Sequence, residues 1–178
     1  MYYRRNYISP IGQLTLASDG EFLTGLWIQD QKHFAKNHSD PIDLPDLPLF
    51  QEVVTWLDRY FAGEMIPADL LPLKPAGTPF QEQVWDILTT IPAGQTTTYG
   101  QIAKMLSRPG ASQAVGSAIG RNPISIIIPC HRVLSSNRKL TGYAGGIPAK
   151  LWLLRHEGVT KFPETDVFTA PSLVIPQE

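Results

Sequence analysis

The stretch Ile126-Ile127-Ile128-Pro129-Cys130-His131-Arg132 places the single cysteine of the chain beside a histidine at the end of an apolar run. Three β-branched residues in succession predict a short buried strand, and Pro129, which has no N–H to donate, predicts that the strand ends there. Neighbouring side chains on a strand point to opposite faces, so Cys130 and His131 act together only through a turn or a bridging water. We therefore expect the chain to turn at Cys130. A lone cysteine is otherwise most simply a small buried hydrophobic residue.

Length and cysteine content set the broad class. The chain has 178 residues, of which 43% are hydrophobic, enough for one large domain or two small ones with a buried core. A single cysteine excludes an intramolecular disulfide, and the N-terminus has no apolar run as long as a signal peptide or a membrane span. We expect a cytoplasmic protein with no role in a membrane.

Charge is distributed unevenly along the chain, although the formal net charge is only −1. Residues 76–161 hold nine Lys and Arg against three acidic residues, a net of +6, whereas residues 1–75 hold six basic and ten acidic residues, a net of −4. A basic segment that also carries the cysteine predicts an anionic partner at the reactive end. Nucleic acid is the commonest such partner.

The first 75 residues predict a small antiparallel sheet covered by one helix. Turn signals separate apolar runs between Tyr7 and Ile28, and apolar residues at helical spacing predict a helix from Leu47 to Ala62. The polar stretch 29–46 has two histidines and no cysteine, which predicts a loop and not a metal site. Residues 62–78 are rich in Pro and Gly, predict at most one short strand, and mark the domain boundary.

The second half predicts several helices and a helix-turn-helix. Thr78 and Thr98 each begin a capping box with glutamine three residues later, which predicts a helix after each. A third helix, made mostly of small residues, is predicted from Ala111 to Gly120, and a last helix between Pro148 and Gly158. Two short helices around a Gly-containing turn in a basic region indicate a helix-turn-helix, although any helical hairpin gives a similar pattern.

Four motifs around the cysteine carry a resemblance to a known family: Asn122-Pro123, Pro129 to Val133, Thr141-Gly142-Tyr143-Ala144-Gly145-Gly146, and Leu153 to Gly158. Together they resemble the O6-alkylguanine-DNA alkyltransferase family over about residues 78–158. We expect an α+β protein with an N-terminal domain over 1–75, a DNA-binding alkyltransferase domain over 76–161, and a tail, 162–178, of unassigned role.

The resemblance implies DNA repair by transfer of an alkyl group from O6-alkylguanine to Cys130, once per molecule and irreversibly. It implies double-stranded DNA with alkylated bases as the partner, bound through the minor groove by a monomer that flips the base out. No cofactor and no metal are implied, and O4-alkylthymine stays open as a second substrate. Two alternatives also stay open: a cysteine hydrolase that turns over, and a protein that binds alkylated bases without reacting.

Alkyl transfer needs a soft nucleophile, and the thiolate of Cys130 is the side chain best suited to that role. His131 is the candidate base, acting through a water, and the basic segment is expected to favour the thiolate. Glu157 matches the family position of the acid that fixes the histidine tautomer. Asn122 would order the loop, and the Tyr99 hydroxyl would donate to the departing guanine.

The resemblance also implies contacts to the base and to DNA. The resemblance implies that backbone groups and the glycine-rich turn form the guanine pocket. The expected substrate-binding residues are Val133, Tyr143, Ala144 and Gly145. The expected DNA-binding residues are Gln113, Ala114, Ser117, Arg121 and Arg132. Many family members carry at position 113 an arginine that fills the gap left by the flipped base, whereas glutamine brings no charge to the groove.

Overall fold

The computed structural model describes residues 1–135 and 142–160, so the predicted tail at 162–178 lies outside the described residues. The architecture is α+β, as predicted. The elements are β1 (Tyr3–Ser9), β2 (Gly12–Ser18), β3 (Leu23–Ile28), β4 (Ile42–Asp43), α1 (Pro48–Phe61), α2 (Pro79–Thr89), β5 (Thr97–Thr98), α3 (Tyr99–Met105), α4 (Ser112–Gly120), β6 (Val133–Leu134) and α5 (Ile147–His156), with 3₁₀ turns at Ala68–Leu70 and Cys130–Arg132. Among the described residues, no helix is long and apolar enough to cross a membrane.

The N-terminal sheet has the strand order β3-β2-β1-β4. β1 and β2 pair antiparallel through a tight turn that closes at Ser9 and Gly12, and β2 pairs antiparallel with β3, which confirms the predicted meander. The fourth strand, β4, pairs parallel with β1 and lies inside the stretch predicted to be a loop. Two residues are too short for the alternating pattern that predicts a strand from sequence.

Helix α1 covers one face of this sheet, as its apolar spacing predicts. Phe50, Val53 and Leu57 on α1 are fully buried together with Leu14 and Leu16 on β2. The same core cluster continues into the second half of the chain, where it includes buried residues of α2, α3 and α4. The two halves therefore share one contiguous core.

Both predicted capping boxes are present. The Thr78 hydroxyl accepts from the Gln81 N–H at 3.2 Å while the Gln81 side-chain oxygen accepts from the Thr78 N–H at 3.0 Å, and the Thr98–Gln101 pair repeats the pattern at 3.1 and 3.2 Å. Each box satisfies two N–H groups that a helix N-terminus leaves without partners. The second box begins α3 directly after β5, which fixes where Tyr99 lies.

Helices α3 and α4 contact each other across the turn at residues 106–111, and α4 also packs against α2. The indole N–H of Trp85 on α2 donates to the Ala118 carbonyl of α4 at 2.9 Å. Gly116 on α4 faces the Tyr99 ring, where an added Cβ would meet ring atoms at 3.7 Å. A distance of 3.7 Å is ordinary van der Waals contact, so packing within the protein does not by itself require glycine at position 116. A DNA-reading role for the helical pair stays a prediction.

The strand predicted at Ile126–Ile128 is wrong. Ile124 makes a single parallel bridge with Leu26 of β3, and the chain then turns, with Ile126 at φ 72° and the Ile127 N–H donating to the Ser125 carbonyl at 2.8 Å. The three isoleucines are nevertheless only 1–2% exposed. An apolar run indicates that residues are buried, and it occurs in buried turns as well as in buried strands. The turn predicted at Cys130 is confirmed by the 3₁₀ turn Cys130–Arg132.

We predict that Gly25→Ala lowers the free energy of unfolding. A Cβ at Gly25 in β3 would lie 2.1 Å from the ring of Trp27, which is itself only 2% exposed. Overpacking of this kind costs about 1–3 kcal/mol. Gly110→Ala is the matched control, because an added Cβ there meets no atom within 4 Å. Urea unfolding of both variants measures the difference, and equal stabilities would contradict this packing of β3.

Candidate active site

Asn122 fixes the loop that leads to Cys130. Its side-chain N–H group donates to the Ile128 carbonyl at 2.9 Å and to the Ile124 carbonyl at 3.3 Å, and its side-chain oxygen accepts from the Ile124 N–H at 3.0 Å. Asn122 is only 3% exposed, so water cannot replace these bonds easily. One amide therefore satisfies both ends of the turn at Ile124–Ile128, which is the position that a loop-ordering residue needs.

The Cys130 thiol is buried, with 3% of the residue exposed. Burial raises the pKa of the thiol, while the hydrogen bond with Asn122 and the positive charge of Lys150 oppose that change without cancelling it. The basic segment therefore does not by itself produce a thiolate, in contrast to the expectation from sequence. A thiol in this state needs a base to become a nucleophile.

His131 and Glu157 form a fully buried pair. The His131 Nε2 lies 2.7 Å from the Glu157 Oε2, and neither side chain has any exposed area. Hydrogen bonds and charge from His131 and Arg132 hold the pKa of Glu157 far below its usual range, so this carboxylate is ionised. It accepts a hydrogen bond from the Nε2–H of His131. Burial lowers the pKa of His131 more than Glu157 raises it, which leaves the ring neutral.

The tautomer of His131 follows from this pair. Because Nε2 carries the hydrogen, Nδ1 carries the lone pair. This Nδ1 is buried and has no hydrogen-bond partner among the described residues. A buried lone pair without a partner is uncommon and marks a position for a water or a substrate group. His131 thus offers one basic atom beside the nucleophile.

Arg132 is corrected from a DNA contact to a partner of Glu157. Its Nε and one terminal nitrogen donate to the two Glu157 oxygens at 2.7 and 3.0 Å, and its other terminal nitrogen donates to the Ile91 carbonyl. Only 11% of the side chain is exposed. Three of the five N–H donors of this guanidinium are thus occupied within the protein, by the carboxylate and a carbonyl.

Lys150 was not predicted from sequence. It lies on α5, is 1% exposed, and donates from Nζ to the Val133 carbonyl at 2.6 Å and to the Gly142 carbonyl at 3.3 Å. Burial lowers its pKa to about 8, and the charge of Cys130 acts in the opposite direction. A lysine inside the apolar run Ala149–Leu154 was the available signal.

Tyr60 was also missed. This residue lies on α1, 97 positions before Glu157, and its hydroxyl donates to the Glu157 Oε2 at 2.6 Å. The residue is 1% exposed. No local pattern in the sequence links a tyrosine on an amphipathic helix to a distant carboxylate, so only the tertiary structure reveals the contact.

A cavity of about 420 Å³ lies between α4 and the turn at 142–144. It brings together several predicted site residues; its lining includes Tyr99, Gly116, Ser117, Arg121, Tyr143 and Ala144. Gln113, Ala114, Ser117 and Arg121 are exposed along α4, whereas Val133 is buried and Gly145 is half-buried. Cys130 is not part of this lining, since its thiol is covered. Within the described part of the chain, no group of three His, Cys, Asp or Glu could hold a metal ion.

Tyr143 lines this cavity and also borders the buried pair. Its hydroxyl is buried and meets no described group in hydrogen-bond geometry, although the Cys130 thiol and Ser125 lie near enough to influence it. Burial and the nearby charges of Cys130 and Glu157 raise the pKa of Tyr143 well above its usual range. The hydroxyl therefore stays neutral and is available as a donor between cavity and thiol.

Comparisons with known proteins identify a family for both halves of the chain. Residues 1–75 match the ribonuclease-like domain of 6-O-methylguanine DNA methyltransferase, and residues 79–159 match its DNA binding domain. The methylated-DNA–protein-cysteine methyltransferase of Haemophilus influenzae is 43% identical over 157 residues, covering 88% of this chain and 87% of that protein. The Mycobacterium tuberculosis (strain H37Rv) protein of the same description is 47% identical over 158 residues, covering 88% and 93%.

A solved structure shares the fold. The crystal structure of Mycobacterium tuberculosis OGT in complex with DNA superposes with a TM-score of 0.81 at 43% identity and covers 93% of this chain and 99% of that one. At this level of identity and coverage, both halves of the chain have a counterpart in the relative.

We predict that Glu157→Gln makes the protein less stable at pH 7 and less sensitive to acid. The pKa of Glu157 is lower in the folded protein than in the unfolded chain, so its contribution to stability is present above about pH 5 and is lost as the pH falls below the unfolded value of about 4.3. His131 acts in the same direction below about pH 6.5, because its pKa is also lowered. Glu157→Gln removes the first of these contributions and leaves Arg132 without its carboxylate.

Unfolding free energies between pH 3.5 and pH 8 measure both effects. Glu64→Gln is the control, since Glu64 forms an exposed pair with Arg59 at 3.2 Å and exposed pairs contribute little. If Glu157→Gln had the same slope below pH 5 as the wild type, Glu157 would not be the buried carboxylate described here.

Proposed function

Because the chain belongs to the 6-O-methylguanine DNA methyltransferase family, we propose that Cys130 is the acceptor of the alkyl group. The activity is DNA repair by direct transfer of an alkyl group from DNA to a protein cysteine, and the protein binds DNA. The observation that supports Cys130 is that the only cysteine of the chain lies next to a neutral histidine held by a buried carboxylate. The proposed substrate is O6-alkylguanine in double-stranded DNA.

The proposed proton path runs from the Cys130 thiol through a water to the His131 Nδ1. Glu157 stabilises the imidazolium that forms. Arg132 holds Glu157 in place, and Asn122 holds the loop that leads to Cys130. The thiolate then attacks the alkyl carbon, the S–C bond forms, the C–O bond breaks, and its electron pair stays with guanine. The proton on His131 returns by way of solvent to give neutral guanine and neutral imidazole. The thioether has no good leaving group, so each molecule reacts once.

The proposed base pocket is the cavity beneath Tyr99, Tyr143 and Ala144. The Tyr99 hydroxyl would stabilise charge on the departing guanine, the Ala144 N–H would donate to the base oxygen, and carbonyls of Cys130 and Val133 would accept from its exocyclic amine. Gly145 lets the turn pack closely against Ile28 and the Tyr143 ring, since an added Cβ there would lie 2.5 Å from Ile28. A base reaches this pocket only after leaving the duplex stack, at a cost of a few kcal/mol.

The proposed DNA-binding surface is the exposed face of α4. Gln113, Ala114, Ser117 and Arg121 are exposed there, and a helix of small residues suits the minor groove, about 6 Å wide. In this proposal residues 76–161 carry the chemistry, residues 1–75 support it, and the protein acts as a monomer. A reduced thiol is required, which supports a cytoplasmic location.

We predict that Cys130 gains one alkyl group from a duplex containing O6-methylguanine and that Cys130→Ser gains none. The mass of the intact protein before and after reaction measures the transfer, and peptide mapping places it. Sustained release of repaired base beyond one equivalent would indicate a cysteine hydrolase. Tight binding of the lesion without any mass change would indicate a protein that binds alkylated bases without reacting.

We predict that Gln113→Arg tightens binding to duplex DNA and that Gln113→Ala slows repair of a duplex more than repair of a single strand. Gln113 is exposed at the edge of a cavity that Tyr99 and Gly116 also line, so it can reach the base opposite a flipped guanine. A new phosphate contact should steepen the dependence of log K on log salt by about 0.9.

Gln51→Arg is the control for added charge, because Gln51 is exposed on α1 in the N-terminal half. Its salt dependence should match the wild type. If Gln113→Ala repaired both the duplex and the single strand at wild-type rates, Gln113 would not fill the gap left by the flipped base.

A further inference from the structure

We propose that Tyr60, from the N-terminal half of the chain, is a positioning residue for alkyl transfer: its hydroxyl holds the Glu157 carboxylate against His131 and takes up part of its charge. This inference rests on the proposed function of Cys130, His131 and Glu157. It gives the N-terminal half a direct part in the reaction, through one hydrogen bond of 2.6 Å.

The hydrogen bonds to Glu157 show why this contact matters. Oε1 accepts from Arg132 at 2.7 Å, while Oε2 accepts from Tyr60 at 2.6 Å, His131 at 2.7 Å and Arg132 at 3.0 Å. A carboxylate has about four acceptor positions, so these described contacts use its capacity. Tyr60 shares its acceptor oxygen with His131. Any change in the Tyr60 bond therefore acts directly on the atom that the histidine uses.

Tyr60 is held rigidly in this position. Its ring stacks on Trp56 with centroids 5.5 Å apart and meets the edge of His156 at 5.1 Å. The Tyr60 carbonyl, near the end of α1, lies 2.7 Å from the Nε2 of His156 on α5. Ring and backbone are thus fixed by two helices. Burial and Glu157 raise the pKa of Tyr60 well above its usual range, so the hydroxyl stays a donor.

The expected effect on acid–base behaviour has a definite sign. Glu157 faces His131, Arg132 and Tyr60, with Tyr143 nearby, and the positive charges of Arg132 and Lys150 also lower the pKa of His131. Lys150, with a pKa lowered to about 8, acts on Cys130 as well. Removing the Tyr60 hydroxyl leaves more negative charge on Oε2, which favours the imidazolium form of His131. His131 then takes its proton at a higher pH. Since the proposed reaction needs neutral His131, the acid limb of the rate profile should move to higher pH.

The test uses the full-length protein and a duplex containing O6-methylguanine, with the single-turnover rate constant measured between pH 5 and pH 9. For Tyr60→Phe we expect the midpoint of the acid limb to rise by about one pH unit, which is the size of one hydrogen bond to a charged group. Duplex affinity should stay within twofold of the wild type. Glu157→Gln removes the carboxylate, so its pH–rate profile shows the effect of losing the His131–Glu157 interaction completely.

Tyr7→Phe is the matched control for loss of a hydroxyl. The Tyr7 hydroxyl donates to the Asp58 carboxylate on the same helix, α1, also at 2.6 Å, and has no contact with the pair. We expect Tyr60→Phe to lose more thermal stability than Tyr7→Phe, because the Tyr60 hydrogen bond is buried and the Tyr7 hydrogen bond is exposed. A merely structural role for Tyr60 predicts that both have the same pH profile as the wild type.

A second measurement removes dependence on DNA. Iodoacetamide reacts with the thiolate of Cys130, the only cysteine, so the pH dependence of its rate reports the thiol and its base. Replacing Tyr60 by 3-fluorotyrosine, a stronger donor of the same shape, should move the acid limb in the direction opposite to Tyr60→Phe. The 3-fluorotyrosine variant keeps the hydroxyl and the ring shape, so it still tests the role of Tyr60 if Tyr60→Phe folds poorly.

The outcomes separate the two proposals. If the wild type gains no alkyl group from the duplex, the proposed function fails. If the wild type reacts but Tyr60→Phe and 3-fluorotyrosine leave the acid limb unchanged, only the positioning role of Tyr60 is overturned. Opposite shifts in the two variants, with Tyr7→Phe at the wild-type position, support it.

Discussion

The buried carboxylate of Glu157 is the constraint on which the rest of this structure depends. A carboxylate with no exposed side-chain area is strongly unfavourable unless donors surround it. Here a guanidinium supplies the compensating charge and a tyrosine and a histidine supply further hydrogen bonds. The donors come from α1 and from the turn after Cys130, and the carboxylate itself follows α5, so satisfying one charge fixes three distant parts of the chain around Cys130.

Burial, and not the carboxylate, explains why the site combines a protonated thiol with a neutral histidine. Arg132 balances the charge of Glu157, which leaves His131 free to stay neutral, and burial keeps the proton on Cys130 at rest. A thiol that is protonated at rest reacts more slowly with alkylating agents and oxidants than a thiolate does. In the proposed reaction the base is the Nδ1 of His131, whose lone pair has no described partner.

Much of the fold could be predicted from sequence because its signals are local. Both capping boxes, the apolar face of α1 and the turns of the meander depend on residues within a few positions of one another, and the structure confirms them. The strand at Ile126–Ile128 was wrong because burial and extended backbone give the same apolar run, and the side chain that satisfies the turn is Asn122. The pairing of His131 with Glu157 was expected only from family resemblance. Tyr60, and the true partners of Arg132, depend on contacts between elements far apart in the chain, which periodicity does not encode.

The short parallel ladder between β5 and β6 has a consequence for how this sequence can vary. Thr97 pairs with Val133 and Thr98 with Leu134. Tyr99 directly follows the β5 strand of this ladder, and Cys130 lies shortly before the β6 strand, so the ladder fixes the position of both residues. A shift of one residue would turn every side chain to the other face. Insertions and deletions are therefore excluded between Thr97 and Tyr99 and between Cys130 and Leu134.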